Sequence, residues 1–126
     1  MQLKNIYLRP NSTFSKHINA WASKLNIEVT EHEFKMGDQV ADGLLVINQN
    51  QDINKETYAI HSFFDEKHLP IQKIDVNGTL QVAITSFEIW LKSFKCKDIY
   101  IIGNDELVKN SNLDRFLNRV EKKIVG

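Results

Sequence analysis

The stretch "GLLVINQNQDINKETYAIHSFF", residues 43–64, decides the fold. It opens with an apolar run, Gly43 to Ile47 closed by Asn48, of the kind expected for a strand covered on both faces. The chain then turns polar through Gln49, Asn50, Gln51 and Asp52. A helical spacing follows, with Ala59, Ile60, Phe63 and Phe64 on one side. Strand, polar turn and helix in this order make the basic unit of an α/β protein. Many nucleotide-binding proteins place glycines at such a strand end, where backbone N–H groups must approach a phosphate. Here the turn is built from amides and one acid, with no glycine.

The same alternation extends in both directions. Upstream, "KNIYLR" (Lys4–Arg9) is a short β-rich run stopped by Pro10, which has no N–H to donate. Phe14, Ile18, Trp21 and Leu25 then line one helical face, with Ser12 or Thr13 as the N-cap. "IEVTEHEF" (Ile27–Phe34) alternates towards Glu31 and Glu33 and reads as an exposed edge strand. The following "KMGDQVAD" is too short for a crossover helix and is expected to be a loop or a single turn.

Downstream, Pro70 introduces the strand "IQKIDV" (Ile71–Val76), and Asn77-Gly78 supplies a turn. A long helix over about 79–94 places Leu80, Ala83, Phe87, Trp90, Leu91 and Phe94 on one stripe. "DIYIIG" (Asp98–Gly103) is the most strand-like segment of all. A last helix from near Ser111 buries Leu113, Phe116, Leu117, Val120 and Ile124, with Asp114 in its first turn. The pattern β-α-β-β-α-β-α-β-α predicts a single three-layer Rossmann-like (flavodoxin-like) α/β domain over 1–126. Its five-stranded sheet is mostly parallel, and the expected strand order is 2-1-3-4-5.

Composition narrows the function classes. The chain has 126 residues, 42% hydrophobic and 25% charged, which suits one domain with a real core. Sixteen basic residues balance sixteen acidic ones, so no net field recruits nucleic acid or an anionic membrane. A lone cysteine, Cys96, and the absence of a leader-like or membrane-spanning run point to the cytoplasm. Cys96 stands between Lys95 and Lys97, which would lower a thiol pKa, but it has no paired histidine and reads as a surface or partly buried thiol. His17, His32, His61 and His68 share no ligand spacing, so no metal site is expected, and no cofactor is identified. No Walker loop, GxGxxG or GxSxG element is present.

Ligands of open α/β sheets bind beyond the carboxyl ends of the strands, where strand order reverses. In the expected order this places Arg9, Ser12 and Thr13 beside Asn48, Asn54 and Thr57, with Asn104 from the last strand's loop. These are the candidate ligand-binding residues, although loops are polar in most proteins for reasons of solvation alone. Arg9 is a cation at the end of a buried strand; it pairs either with a ligand phosphate or carboxylate or with an acid such as Asp52 or Asp105. Glu56, in the first turn of its helix, is the candidate catalytic carboxylate for cleavage of an N-glycosidic bond; its structural alternative is to complement the helix dipole.

The residues "ADGLLVI" (41–47), "LPIQKID" (69–75), "WLKSFKCKDIYIIGNDE" (90–106) and "NLDRFLNRVEKKI" (112–124) resemble the molybdenum-carrier family. That Rossmann-like group is related to the lysine-decarboxylase-like phosphoribohydrolases, and the resemblance spans about residues 41–125. It implies nucleotide or other phosphorylated-ligand binding as the ancestral function. Thr57 falls at the family's threonine, but Glu56 stands where its glycine would be. The family's glycine-rich first turn corresponds to "RPNSTFS" (9–15), and its "GPR" to Gly103, Asn104 and Asp105. An acid at a phosphate-facing helix start repels the ligand by about 1–2 kcal/mol, so the phosphate site reads as degraded.

Three functions follow from these readings. One is a non-catalytic binding module for a nucleotide-like or small polar ligand. Another is a protein-interaction or structural domain with an empty vestigial cleft, assembling as a homo-oligomer through an apolar helix face. The third is a hydrolase or transferase acting on nucleotides through Glu56.

Overall fold

A computed structural model describes residues 3–33, 41–51 and 53–125 of the chain. The elements are β1 (Asn5–Leu8), α1 (Thr13–Ala22), β2 (Glu28–Glu31), β3 (Gly43–Asn48), α2 (Lys55–Glu66), β4 (Ile71–Asp75), α3 (Leu80–Phe94), β5 (Asp98–Ile102) and α4 (Ser111–Val125). Short 3-10 turns at Ser23–Leu25 and Asp105–Lys109 complete the chain path. The loop expected after the second strand lies mostly outside the described residues, as do Asp52 and the side chain of Ile124.

All strand pairings are parallel, in one five-stranded sheet of order β2-β1-β5-β3-β4. The Rossmann-like α/β class is therefore as expected, and the order 2-1-3-4-5 is corrected. β5 does not close the edge; it lies between β1 and β3. The physical reason is visible in side-chain polarity. Ile99, Tyr100, Ile101 and Ile102 are all buried, which requires partners on both edges and cover on both faces. β4 carries Gln72 and exposed Lys73 and tolerates an edge position, as does β2 with its exposed Glu28 and Glu31.

Helices α1, α3 and α4 cover one face of the sheet. Phe14, Ile18 and Trp21 of α1, Phe87 and Trp90 of α3, and Phe116 of α4 meet Ile6, Leu45, Ile99 and Ile101 in one cluster. Each such side chain contributes about 1.5–3 kcal/mol by leaving water. The Trp21 indole N–H donates to the Leu117 carbonyl at 3.1 Å, which fixes α1 against α4. On the opposite face α2 packs Ile60, Phe63 and Phe64 on Leu44, Val46, Tyr100 and Ile102.

Two sequence expectations fail locally. Phe94 lies 56% exposed at the last turn of α3, while Ile84, outside the predicted stripe, is buried instead. Cys96 is fully buried, and burial, with a smaller effect from Asp42, pushes its thiol up to about 11. Among the described residues no helix is long and apolar enough to cross a membrane.

Candidate functional site

The carboxyl ends of β1, β5 and β3 converge where the chain leaves β1 towards β2 and leaves β3 towards β4. A cavity of about 410 Å³ opens at this reversal, lined by Arg9, Pro10, Asn11, Glu33, Glu56, Ala59 and Ile60. That volume suits a small ligand. Pro10 ends β1 and leads into Asn11, whose φ of 59° turns the chain sharply towards α1. Arg9 is thereby held at the cavity wall. Its guanidinium makes no hydrogen bond or ion pair with any described residue. The expected pairing with Asp105 is thus a through-space attraction rather than a contact, and it helps hold the Asp105 carboxyl low.

Glu56 enters the cavity from the first turn of α2, as the sequence placed it. Asn54 is the N-cap of that helix; its side-chain oxygen accepts from the Thr57 amide at 2.9 Å, and its own amide donates to the Asn104 side chain at 3.3 Å. Thr57 is 1% exposed, and its hydroxyl has no hydrogen-bond partner among the described residues. Asn48 is buried at the end of β3, where its side-chain oxygen accepts from the Gln51 amide at 3.0 Å. Thr13 is the first residue of α1, and Ser12 is its N-cap. Arg9 and Glu56 therefore share the cavity, whereas Ser12, Asn48, Asn54 and Asn104 bond to the chain's own groups.

The anion-binding positions of this fold are filled from within. At the start of α1, Asp105 accepts from the Ser12 hydroxyl at 2.7 Å and the Phe14 amide at 2.9 Å. The Phe14 amide does most to hold its carboxyl below the usual range, with Ser12, Arg9 and Thr13 adding to it against partial desolvation. A carboxylate of the protein thus occupies the place where a ligand phosphate would meet the helix dipole. The turn after β3 repeats the arrangement. Asn50 and Gln51 adopt successive left-handed conformations, φ 54° and 61°. Both amides point at Asp75, at 3.1 and 3.2 Å, and the Asn77 amide joins them at 2.9 Å. Successive left-handed amides form a concavity suited to an anion, and Asp75 is that anion.

The amide-rich turn also has a structural role. Asn77 accepts from Asn110 at 2.8 Å and Asn112 at 3.1 Å, and donates to Asn50 at 3.2 Å. Asn110 donates in addition to Gln49 at 2.9 Å. These bonds join the ends of β3 and β4 to the start of α4.

Sequence reading did not single out Glu33, which reaches the cavity from beyond β2. The Tyr100 hydroxyl donates to the His32 carbonyl at 2.7 Å, and the His32 amide donates to the Leu8 carbonyl at 2.8 Å. These two bonds fix the segment that carries Glu33. Tyr100 is buried, and its hydroxyl is pushed up to about 12 by desolvation despite the opposing charge of Arg9. A tyrosine in the centre of an apolar strand was the available signal, because a buried hydroxyl requires a partner. Among the described residues no group of three His, Cys, Asp or Glu side chains could hold a metal ion.

No protein-family model matches the chain, and no curated protein matches it. The fold does have a solved counterpart, a crystal structure of a putative molybdenum carrier protein from Syntrophus aciditrophicus SB. The two superpose with a TM-score of 0.70 over 98% of this chain and 94% of that one, at 14% sequence identity. At that identity the likeness is one of fold: the chain is a five-stranded, parallel, Rossmann-like α/β domain similar in architecture to that protein.

Proposed function

We propose that the chain is a non-catalytic binding module whose ligand, nucleotide-like or another small polar molecule, enters the cavity between Arg9 and Glu56. One observation carries this reading: a guanidinium without a partner among the described residues lines a cavity of about 410 Å³ at the reversal of strand order. A cation left unpaired beside a concave surface favours a ligand carboxylate, phosphate or carbonyl. The buried Thr57 hydroxyl, in the first turn of the helix that carries Glu56 and next to it in the chain, also has no hydrogen-bond partner among the described residues.

A nucleotide-directed hydrolase or transferase is the second reading. Its support is the position of Glu56 in the same cavity, with Glu33 as another carboxylate on the lining. An interaction domain with an empty vestigial cleft predicts that no strand-end cavity persists, and the cavity beside Arg9 counts against it. The solved counterpart is described as a putative molybdenum carrier protein; among the described residues here no group of three His, Cys, Asp or Glu side chains could hold a metal ion. The α1 start, a natural seat for an oxyanion, holds Asp105.

A thermal-shift screen against nucleosides, nucleotides, sugars and oxyanions tests the reading. A ligand at a hundred times its Kd stabilises the fold by about 2.7 kcal/mol. The expected result is a hit that Arg9→Ala abolishes. Hits indifferent to Arg9 would place binding elsewhere.

A further inference from the structure

We infer that the cavity selects an unphosphorylated ligand, one that presents O–H or N–H donors to Glu33 and Glu56 and a single acceptor group to Arg9, such as a sugar, nucleoside or amino alcohol. The inference rests on the binding reading above and names its ligand class. Three observations carry it. First, the charged side chains lining the cavity are one guanidinium and two carboxylates, Arg9 against Glu33 and Glu56. A phosphate dianion brought to Arg9 would share the cavity with both carboxylates, whereas a hydroxyl or ammonium group can donate to either.

Second, at the start of α1, next in the chain after the cavity residues Arg9 to Asn11, the donors that would meet a phosphate on the helix axis are already engaged. Asp105 already takes the Ser12 hydroxyl and the Phe14 amide. A phosphate there would have to displace a carboxylate held by charge-assisted bonds and would then lie beside its negative charge. Third, the turn after β3 is closed in the same way, with the Asn50, Gln51 and Asn77 amides on Asp75. At both positions the amides that would suit a phosphate are taken by an acid of the protein, which leaves the cavity's own charges, Arg9 with Glu33 and Glu56, to decide selectivity. The remaining wall, Pro10, Ala59 and Ile60, gives a small apolar surface for the carbon skeleton of such a ligand.

The test compares matched pairs that differ by one phosphate: ribose with ribose 5-phosphate, adenosine with AMP, ethanolamine with phosphoethanolamine. Affinities for the purified protein are measured by isothermal titration calorimetry at low salt. The expected result is binding of at least one unphosphorylated member, with its phosphorylated partner weaker by roughly tenfold or more. Glu56→Gln and Asp105→Asn should each narrow that ratio. The Glu56→Gln and Asp105→Asn folds are checked by circular dichroism, so a collapsed variant is not read as lost selectivity. Equal or tighter binding of the phosphorylated members would overturn the inference while leaving the cavity as a ligand site. Binding of none of the six compounds, with hits from the wider screen confined to phosphates or oxyanions, would overturn it as well. Silence in that wider screen would remove the binding reading beneath it.

Discussion

Asp105 lies on the N-terminus of α1, its carboxylate 2.7 Å from the hydroxyl of Ser12, a residue at the opposite end of the chain. This bond connects the loop after the last strand with the loop after the first. It also gives the helix N-terminus an anion from the protein, at a position that otherwise suits one from solution.

Replacing Asp105 with alanine removes the acceptor for Ser12 and Phe14 together. The expected cost is about 1–2 kcal/mol, in the range of a lost helix cap, read as a lower urea midpoint with an unchanged slope. Asp105→Asn keeps one acceptor oxygen and should lose less. Because the folded carboxyl is held low, its stabilising effect is complete above the unfolded value of 3.8 and fades as pH falls through the folded value.

Thr57→Val should stabilise the free protein. The Thr57 hydroxyl is buried without a partner among the described residues, and such a group costs about 1–3 kcal/mol relative to an apolar one. The methyl of valine has nearly the same shape. The variant should therefore melt higher in a thermal scan without ligand yet gain less from any ligand that uses the hydroxyl.

His61 makes stability depend on mild acid. Burial first, and then the Lys73 charge, hold its pKa below 6.5 against the pull of Asp65. Between the lowered folded value and 6.5 the unfolded chain binds more protons, so stability rises with pH across that window. Denaturant titrations from pH 5 to 8 should show this slope, and His61→Gln should flatten it. An unchanged slope in the variant would assign the titration to another group.

Gly43→Ala should be destabilising by about 1–3 kcal/mol, as overpacking of a filled core is. An added Cβ would come within 2.9 Å of the Trp90 ring and 3.0 Å of the Cys96 sulfur. All of these atoms are buried between β3 and α3, so none can swing into solvent. The same variant should expose Cys96 to thiol reagents that leave the native protein unmodified.

Much of this architecture is legible from side-chain periodicity. The β3–α2 unit appears in the sequence as an apolar run followed by a helical stripe, and the structure contains it at residues 43–48 and 55–66. Strand order was less accessible, because adjacency depends on which strands need burial on both edges. The polarity of Gln72 and Lys73 against the uniformly apolar β5 held that information. Of the cavity lining, the places of Arg9 and Glu56 were readable because strand ends and first helical turns have fixed places in α/β sheets. Glu33 was not, since its position depends on a bond from Tyr100, distant in sequence. The role of Asp105 was hidden for the same reason. Acids in a loop read as solvated until a partner from the other end of the chain is seen to meet them.

The most direct test of the central claim is an ¹⁵N-resolved NMR titration of the protein with the best ligand from the screen. Binding between Arg9 and Glu56 predicts shifts concentrated at Arg9, Asn11, Glu33, Glu56 and Thr57, including the Arg9 side-chain N–H. Shifts centred instead on the exposed α4 face of Arg115, Arg119 and Lys122, with Arg9 unmoved, would contradict it.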